Sequence, residues 1–361
     1  MEASTPGPGP SLHQERHERL FPWAAAAAGL ATLVFLLWMI FLFGGARLTD
    51  AVDDLGELVA ALVAAAACGL TAVRVSSDRR CWWWLGASAL AWGAGEAAWS
   101  WYDLVLHVTV PFPSYADIGF LSAVPLAVVG LLLFPSSSSR AAARVQSVLD
   151  GTIIAGSLIF ASWATILGPL YHSHRGGILK QTVSLAYPAS DVVMVALVII
   201  LFARSGPRGR TSLLLVMAGI VCFAVSDSSF SYLTEVNSYG MGSFLDTGWV
   251  AGYLLIGLGA LRSVYAPAVQ ATETRASALS VVTPYVPVLA VLAVTAVELL
   301  TGHHMETVSW IMAFALVLLV LGRHVLILLD QAASRRHPED GDFDQAGPPT
   351  GSDGRRVLVG H

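Results

Sequence analysis

Among the carboxylates within or at the ends of long apolar stretches, five stand out by pattern and depth: Glu96, Asp117, Asp191, Asp227 and Asp246. An ionisable group at the centre of a membrane-spanning run costs about 2.5–3.5 kcal/mol on insertion scales, so each needs either a structural partner or a function. Two of the acids share a local pattern. Glu96-Ala-Ala-Trp99-Ser100-Trp101-Tyr102 aligns with Asp227-Ser-Ser-Phe230-Ser231-Tyr232-Leu233, reading acid, two small residues, aromatic, serine, aromatic. Downstream come Ser114-Tyr-Ala-Asp117 and Ser243-Phe-Leu-Asp246, and Tyr187-Pro-Ala-Ser-Asp191 begins in a similar way. Carboxylates gathered with aromatic side chains at one depth could hold a ligand, a cation or a proton. The candidate ligand-binding set is therefore Glu96, Asp117, Asp191, Asp227, Asp246, Trp99, Tyr102 and Tyr232.

Each of these residues also has a structural explanation. Ser-x-x-Asp at a helix start, as at Asp117 and Asp246, is the outline of a capping box, and capping at a helix start would account for Asp117, Asp191 and Asp246 without any ligand. Trp99, Trp101, Tyr102, Tyr232 and Trp249 suit the aromatic belt at a membrane interface. Glu96 and Asp227 fall within helices, where caps do not occur, so they belong either to a buried hydrogen-bond network or to a ligand or proton site. Asp150 is expected to cap the fifth span. His107, His172, His174, His303 and His304 all fall in loops on the same side, but their spacing matches no tight metal signature, so solvated histidines and no metal or other cofactor are expected. HExxH, GxSxG and Walker strings are absent, and no enzymatic activity is expected.

The elements that must position these side chains follow from composition. Of 361 residues, 55% are hydrophobic and 12% charged, against roughly 45–50% and about 25% in soluble proteins. A soluble domain could not cover that much apolar surface, and a disordered chain would not carry it. A net charge of -5 without a dense basic patch argues against nucleic-acid binding. Three cysteines without a CxxC pair are read as packing residues. The expectation is an all-α polytopic membrane helix bundle.

A bilayer core of about 30 Å needs about 20 apolar residues per helix. Ten such runs predict spans at 23–43, 54–73, 82–105, 116–135, 147–168, 186–204, 211–233, 244–262, 281–301 and 307–329. With the N-terminus in the cytoplasm, only Arg47, Arg175 and Lys180 of the 20 basic residues fall outside. That bias predicts a plasma-membrane protein with both termini cytoplasmic. It also places the five acids in the extracytoplasmic third. Residues 1–22 and 331–361, rich in Pro, Gly, Ser and charge, are expected to be disordered tails flanking a membrane domain at 23–330. The aligned motifs predict a repeated helix pair, with spans 3–4, 7–8 and more loosely 5–6 as copies, and sites in repeat proteins often lie where copies meet.

Four ordered motifs carry a resemblance: Pro111-Phe-Pro-Ser-Tyr-Ala-Asp117-Ile-Gly-Phe-Leu121 running on to Pro125-Leu and Gly130-Leu-Leu-Leu; Leu149-Asp150-Gly-Thr152; Ser184-Leu-Ala-Tyr187-Pro188-Ala-Ser-Asp191; and Asp246-Thr-Gly-Trp249 with Gly252-Tyr-Leu-Leu255. Over roughly residues 80–330 the chain is similar to the multi-span N-terminal membrane region of actinobacterial GGDEF/EAL cyclic-di-GMP signalling proteins, a region regarded as a sensor of unknown ligand. The resemblance implies a sensory role and no assigned site residues. No GGDEF or EAL string occurs here, so nucleotide cyclase or phosphodiesterase activity is not expected. The reading is a sensory or regulatory membrane protein that binds an extracytoplasmic or membrane cue; the alternative is a transporter using the outer acids for a cation or proton. Candidate partners are the lipid bilayer, a cytoplasmic signalling protein acting in trans, and a second copy of the chain.

Overall fold

A computed structural model describes residues 12–75, 79–134, 141–173, 177–204, 210–235, 243–265, 285–300 and 306–335. The chain is all-helical, with no strand among the described residues. In order, the helices are α1 (Leu12–Phe41), α2 (Ala46–Arg74), α3 (Arg79–Ser100), α4 (Tyr115–Leu132), α5 (Ala141–Ser162), the short α6 (Gly168–Ser173), α7 (Ile178–Arg204), α8 (Arg210–Glu235), α9 (Thr247–Tyr265), α10 (Tyr285–Leu300) and α11 (Thr307–Arg335). Single π-helical turns, Trp101–Val105 and Trp163–Leu167, extend α3 and α5.

Among the described residues eight helices are long and apolar enough to cross a bilayer, which makes the chain a membrane-embedded helical protein. The expected spans at 82–105 and 281–301 correspond to α3 and α10, which fall outside that group. α3 has the length, at 22 residues, but its glycines, tryptophans, serines and terminal arginines dilute its apolarity. α10 has 16 residues.

Six helices close into a ring. α4 packs on α3, α3 on α2, α2 on α9, α9 on α8, α8 on α7, and α7 returns to α4. α1 lies outside against α9, while α5 packs on α7 and carries α10 and α11. The sequence of α2 shows why it belongs inside the ring. Its buried face reads Ala60, Ala61, Ala64, Ala65, Cys68, Thr71 and Ala72, while Leu55, Val59, Leu62, Val63, Leu70 and Val73 are exposed. Small residues inward and large aliphatics outward is the membrane pattern, in which close packing rather than water exclusion joins helices.

Glycine sets the closest crossings. A Cβ on Gly119 of α4 would overlap the backbone of Gly95 on α3, and one on Gly248 of α9 would overlap the Ser226 side chain on α8. About three turns further along each helix, Gly130 of α4 sits over Cys81 O and Leu85 N, and Gly259 of α9 over Ser212 O and Val216 N. Below these crossings Trp82, Leu131, Leu213, Val216 and Ala260 form a continuous apolar core. A smaller cluster of Phe160, Val291 and Leu316 joins α5, α10 and α11.

The structure corrects three sequence-based expectations. α7 begins at Ile178 rather than near residue 186, so Asp191 lies within the helix and is not a cap; Pro188 is accommodated inside α7. α5 begins at Ala141, so Asp150 is also mid-helix, and it accepts a charge-assisted hydrogen bond from Arg323 of α11. α1 begins at Leu12, carrying helix into the segment expected to be a disordered tail, where Glu, Gln and Arg are good helix formers. The capping expectation holds for the other two acids. Ser114 and Asp117 form a capping box on α4, and Ser243 and Asp246 form one on the 3-10 turn Phe244–Asp246 that leads into α9.

Candidate functional site

Among the described residues, the helix termini at one end of the ring carry Arg74, Arg79, Arg80, Arg204, Arg210 and Arg262, and those at the other end carry Arg47 and Lys180. A cavity of about 80 Å³ opens inside the ring towards the arginine-poor end. Six carboxylates line it: Asp53, Asp54 and Glu57 from α2, Glu96 from α3, Asp117 from α4 and Asp227 from α8. The remaining wall is mostly aromatic, from Trp92, Trp99, Phe112, Phe120, Tyr187, Phe230 and Trp249. No lysine, arginine or histidine is among the described lining residues. Lys180 Nζ lies 5.9 Å over the ring of Phe112, one of the lining aromatics.

The partners of each acid separate structural from available oxygens. Asp117 is fully engaged: Oδ2 accepts from the Ser114 amide at 2.6 Å, and Oδ1 from the Tyr187 hydroxyl at 2.5 Å. Its capping role and its place in the cavity therefore coexist. Asp246 accepts from the Ser243 amide at 2.9 Å and lies outside the cavity wall. Asp227 accepts from the Trp249 indole at 2.6 Å, and the Asp191 carboxyl adjoins it. Glu57 lies close to Glu96 across the α2–α3 contact, and both are about as buried as core residues, at 6% and 3% exposure. Asp54 is 5% exposed, and its Oδ2 has no hydrogen-bond partner among the described residues. A buried carboxylate oxygen with nothing donating to it is costly unless something else occupies that position.

Six carboxyl groups around one cavity, with no basic side chain in the described wall, leave negative charge for protons or a cation to balance. The aromatic faces point to a cation, because the negative face of a ring attracts positive charge. Trp92 forms the floor, with its ring 5.1 Å from Phe120 and 5.0 Å from Tyr253 between centroids.

Of the eight residues singled out from sequence, Glu96, Asp117, Asp227 and Trp99 meet in this cavity. Asp191 lies just below, in a second cavity that also touches Asp227. Tyr102 and Asp246 do not line either space, and Tyr232 is 59% exposed on the outside of the bundle. The sequence reading missed Asp53, Asp54 and Glu57. Their signal was available: Asp50, Asp53, Asp54 and Glu57 stand at i, i+3, i+4 and i+7, one face of a helix.

Tyr187→Phe removes the donor to Asp117 while keeping the ring. A hydrogen bond to a charged acceptor is worth about 1.5–3 kcal/mol, so the variant is expected to lower the thermal midpoint measurably in nanodiscs. An unchanged midpoint would show that Asp117 is held by its cap alone.

No protein-family model matches the chain, and neither do curated proteins or solved structures.

Proposed function

We propose that this protein is a membrane receptor whose ring cavity takes up a positively charged cue from the extracytoplasmic side or from the bilayer. The observation that carries the reading is the acid- and aromatic-lined cavity with a buried, unpartnered Asp54 oxygen and no basic side chain in its described wall. The arginine-poor end faces out and both termini face the cytoplasm, following the distribution of basic residues. α3 and α10 complete a set of ten spans. α3–α4 and α8–α9 are copies of one helix pair. In support, Gly119 meets Gly95 as Gly248 meets Ser226, and Gly130 meets Cys81 and Leu85 as Gly259 meets Ser212 and Val216. The cavity then lies between two related halves of the ring, as repeat-built membrane sites often do.

Occupation of the cavity would be passed on through packed helices. α7, bearing Asp191, packs on α5, and α5 packs on α11, which runs towards the cytoplasmic side. A ligand moves such an equilibrium only by binding one arrangement better than the other. The output is a cytoplasmic partner acting in trans. The chain belongs, on this reading, with the sensory membrane regions it resembles in sequence.

A transport reading draws on a second cavity stacked below the first. Against it, Trp82 and Leu131 are fully buried in the apolar core. The two readings separate in one experiment. The full chain in nanodiscs should quench or shift its tryptophan fluorescence on titration with an organic ammonium ion, and in proteoliposomes it should pass none of that ion. Flux abolished by Asp227→Asn would replace the receptor with a transporter; absence of any cation binding would remove both.

A further inference from the structure

Two cavities share a wall. The lower one, of about 90 Å³, touches Trp92, Phe120, Tyr187 and Asp227, which also line the upper one. Its chemistry is different. The surface below the shared wall comes from Leu85, Val124, Ala127, Met194, Ile220 and Ile256. Its two serine hydroxyls are committed to backbone carbonyls: Ser88 donates to Ala123 O at 2.8 Å, and Ser190 to Tyr187 O at 2.7 Å. At the top of this apolar space Asp191 presents Oδ2, a buried oxygen without a hydrogen-bond partner. The upper cavity thus offers carboxylates and ring faces, the lower offers aliphatic surface, and unpartnered acid oxygens stand in each.

We infer that the ligand is an amphipathic organic cation, an ammonium group bearing a short alkyl chain or a single ring. The ammonium sits among Asp54, Glu57 and Glu96, against the aromatic wall. The apolar group extends past Trp92 and Phe120 into the lower cavity, a space on the scale that admits a small apolar group. A bare metal ion would leave the lower cavity empty, and a neutral apolar molecule would leave the acids to protons alone and put no positive charge against the aromatic wall. This inference rests on the cationic-cue reading above and adds the requirement for an apolar body.

The test uses the full chain in nanodiscs of phosphatidylglycerol, which carries no ammonium headgroup. Tetramethylammonium, butyltrimethylammonium, hexyltrimethylammonium and benzyltrimethylammonium are titrated, with 1-hexanol as the neutral comparison. Affinity is expected to rise about threefold to fourfold per methylene until the lower cavity is filled, with hexanol at least tenfold weaker than the matching cation. Ala127→Leu, which narrows the lower cavity, should erase the gain in affinity from chain length. Repeating the titration in phosphatidylethanolamine nanodiscs distinguishes the source of the ligand: loss of probe binding there identifies a lipid headgroup amine, and retained binding a free amine. Equal affinity across the four cations overturns the inference while the cationic reading stands. Hexanol binding as tightly as the hexyl cation, or no binding by any probe, overturns both.

Discussion

Arg323→Leu is expected to destabilise the protein by about 3–5 kcal/mol, the range for stranding one member of a buried ion pair. Arg323 is 2% exposed, and its Nε donates to Asp150 Oδ1. Its helix has little else to hold it. α11 exposes Trp310, Ile311, Phe314, Val317, Leu318 and Leu321 and is packed mainly through Ser309, Leu316 and Arg323. An arginine inside an apolar helix is itself costly in a bilayer, so its presence requires the compensating carboxylate. The single variant removes the arginine and leaves the largely buried Asp150 carboxylate without its ion-pair partner. The double variant Asp150→Leu, Arg323→Leu removes both charges, and replacing such a pair by apolar residues is often neutral. Thermal unfolding in nanodiscs should therefore show a large loss for the single variant and recovery of most of it in the double. Equal losses in both would mean that α11 is anchored by something other than this pair. If α11 carries the response to the cytoplasmic side, as proposed, the double variant should also keep cation binding intact.

The pair shows where sequence reading stops. Its members are 173 residues apart, and nothing local to Asp150 distinguishes an ion-paired acid from a cap. The helices themselves were legible because each needs only a run of apolar residues long enough for a bilayer, a property local to the run. The start of α7 was not, because Pro188 suggests a first turn and the helix instead begins ten residues earlier, among Lys180 and Gln181. Tyr232 and Tyr102 were grouped with the acids by sequence proximity, and helical geometry separates them. Phe230 and Ser231, three and four residues after Asp227, share its face and line the cavity, whereas Tyr232 is turned to the outside. Trp99, three residues after Glu96, follows the same rule. The acids of α2 were passed over because they adjoin a loop, where charge ordinarily means solvent. Their i, i+3, i+4, i+7 spacing continues directly into the alanine face of the same helix, and that continuity is the feature that marks them as buried.

Asp54→Lys is expected to abolish the stabilisation that a bound cation gives. Ligand bound only to the folded state stabilises it by about 2.7 kcal/mol at a hundredfold its dissociation constant, so the wild-type midpoint should climb with added tetramethylammonium. Lysine at position 54 places an ammonium on a flexible stem beside Glu57, Glu96 and Asp53, a tethered version of the proposed ligand group. Its ligand-free midpoint should equal or exceed that of the ligand-free wild type, and added cation should no longer raise it. Asp54→Asn, which removes one charge and supplies none, should still respond, with weaker affinity. The competing account, in which the carboxyl groups form a closed hydrogen-bond network of their own, makes the opposite prediction. A buried lysine would break that network and lower the midpoint. A destabilised Asp54→Lys protein, or one that still gains stability from added cation as the wild type does, would therefore return the cavity to a structural role. A variant stabilised without ligand would show that the unpartnered oxygen of Asp54 is where positive charge belongs.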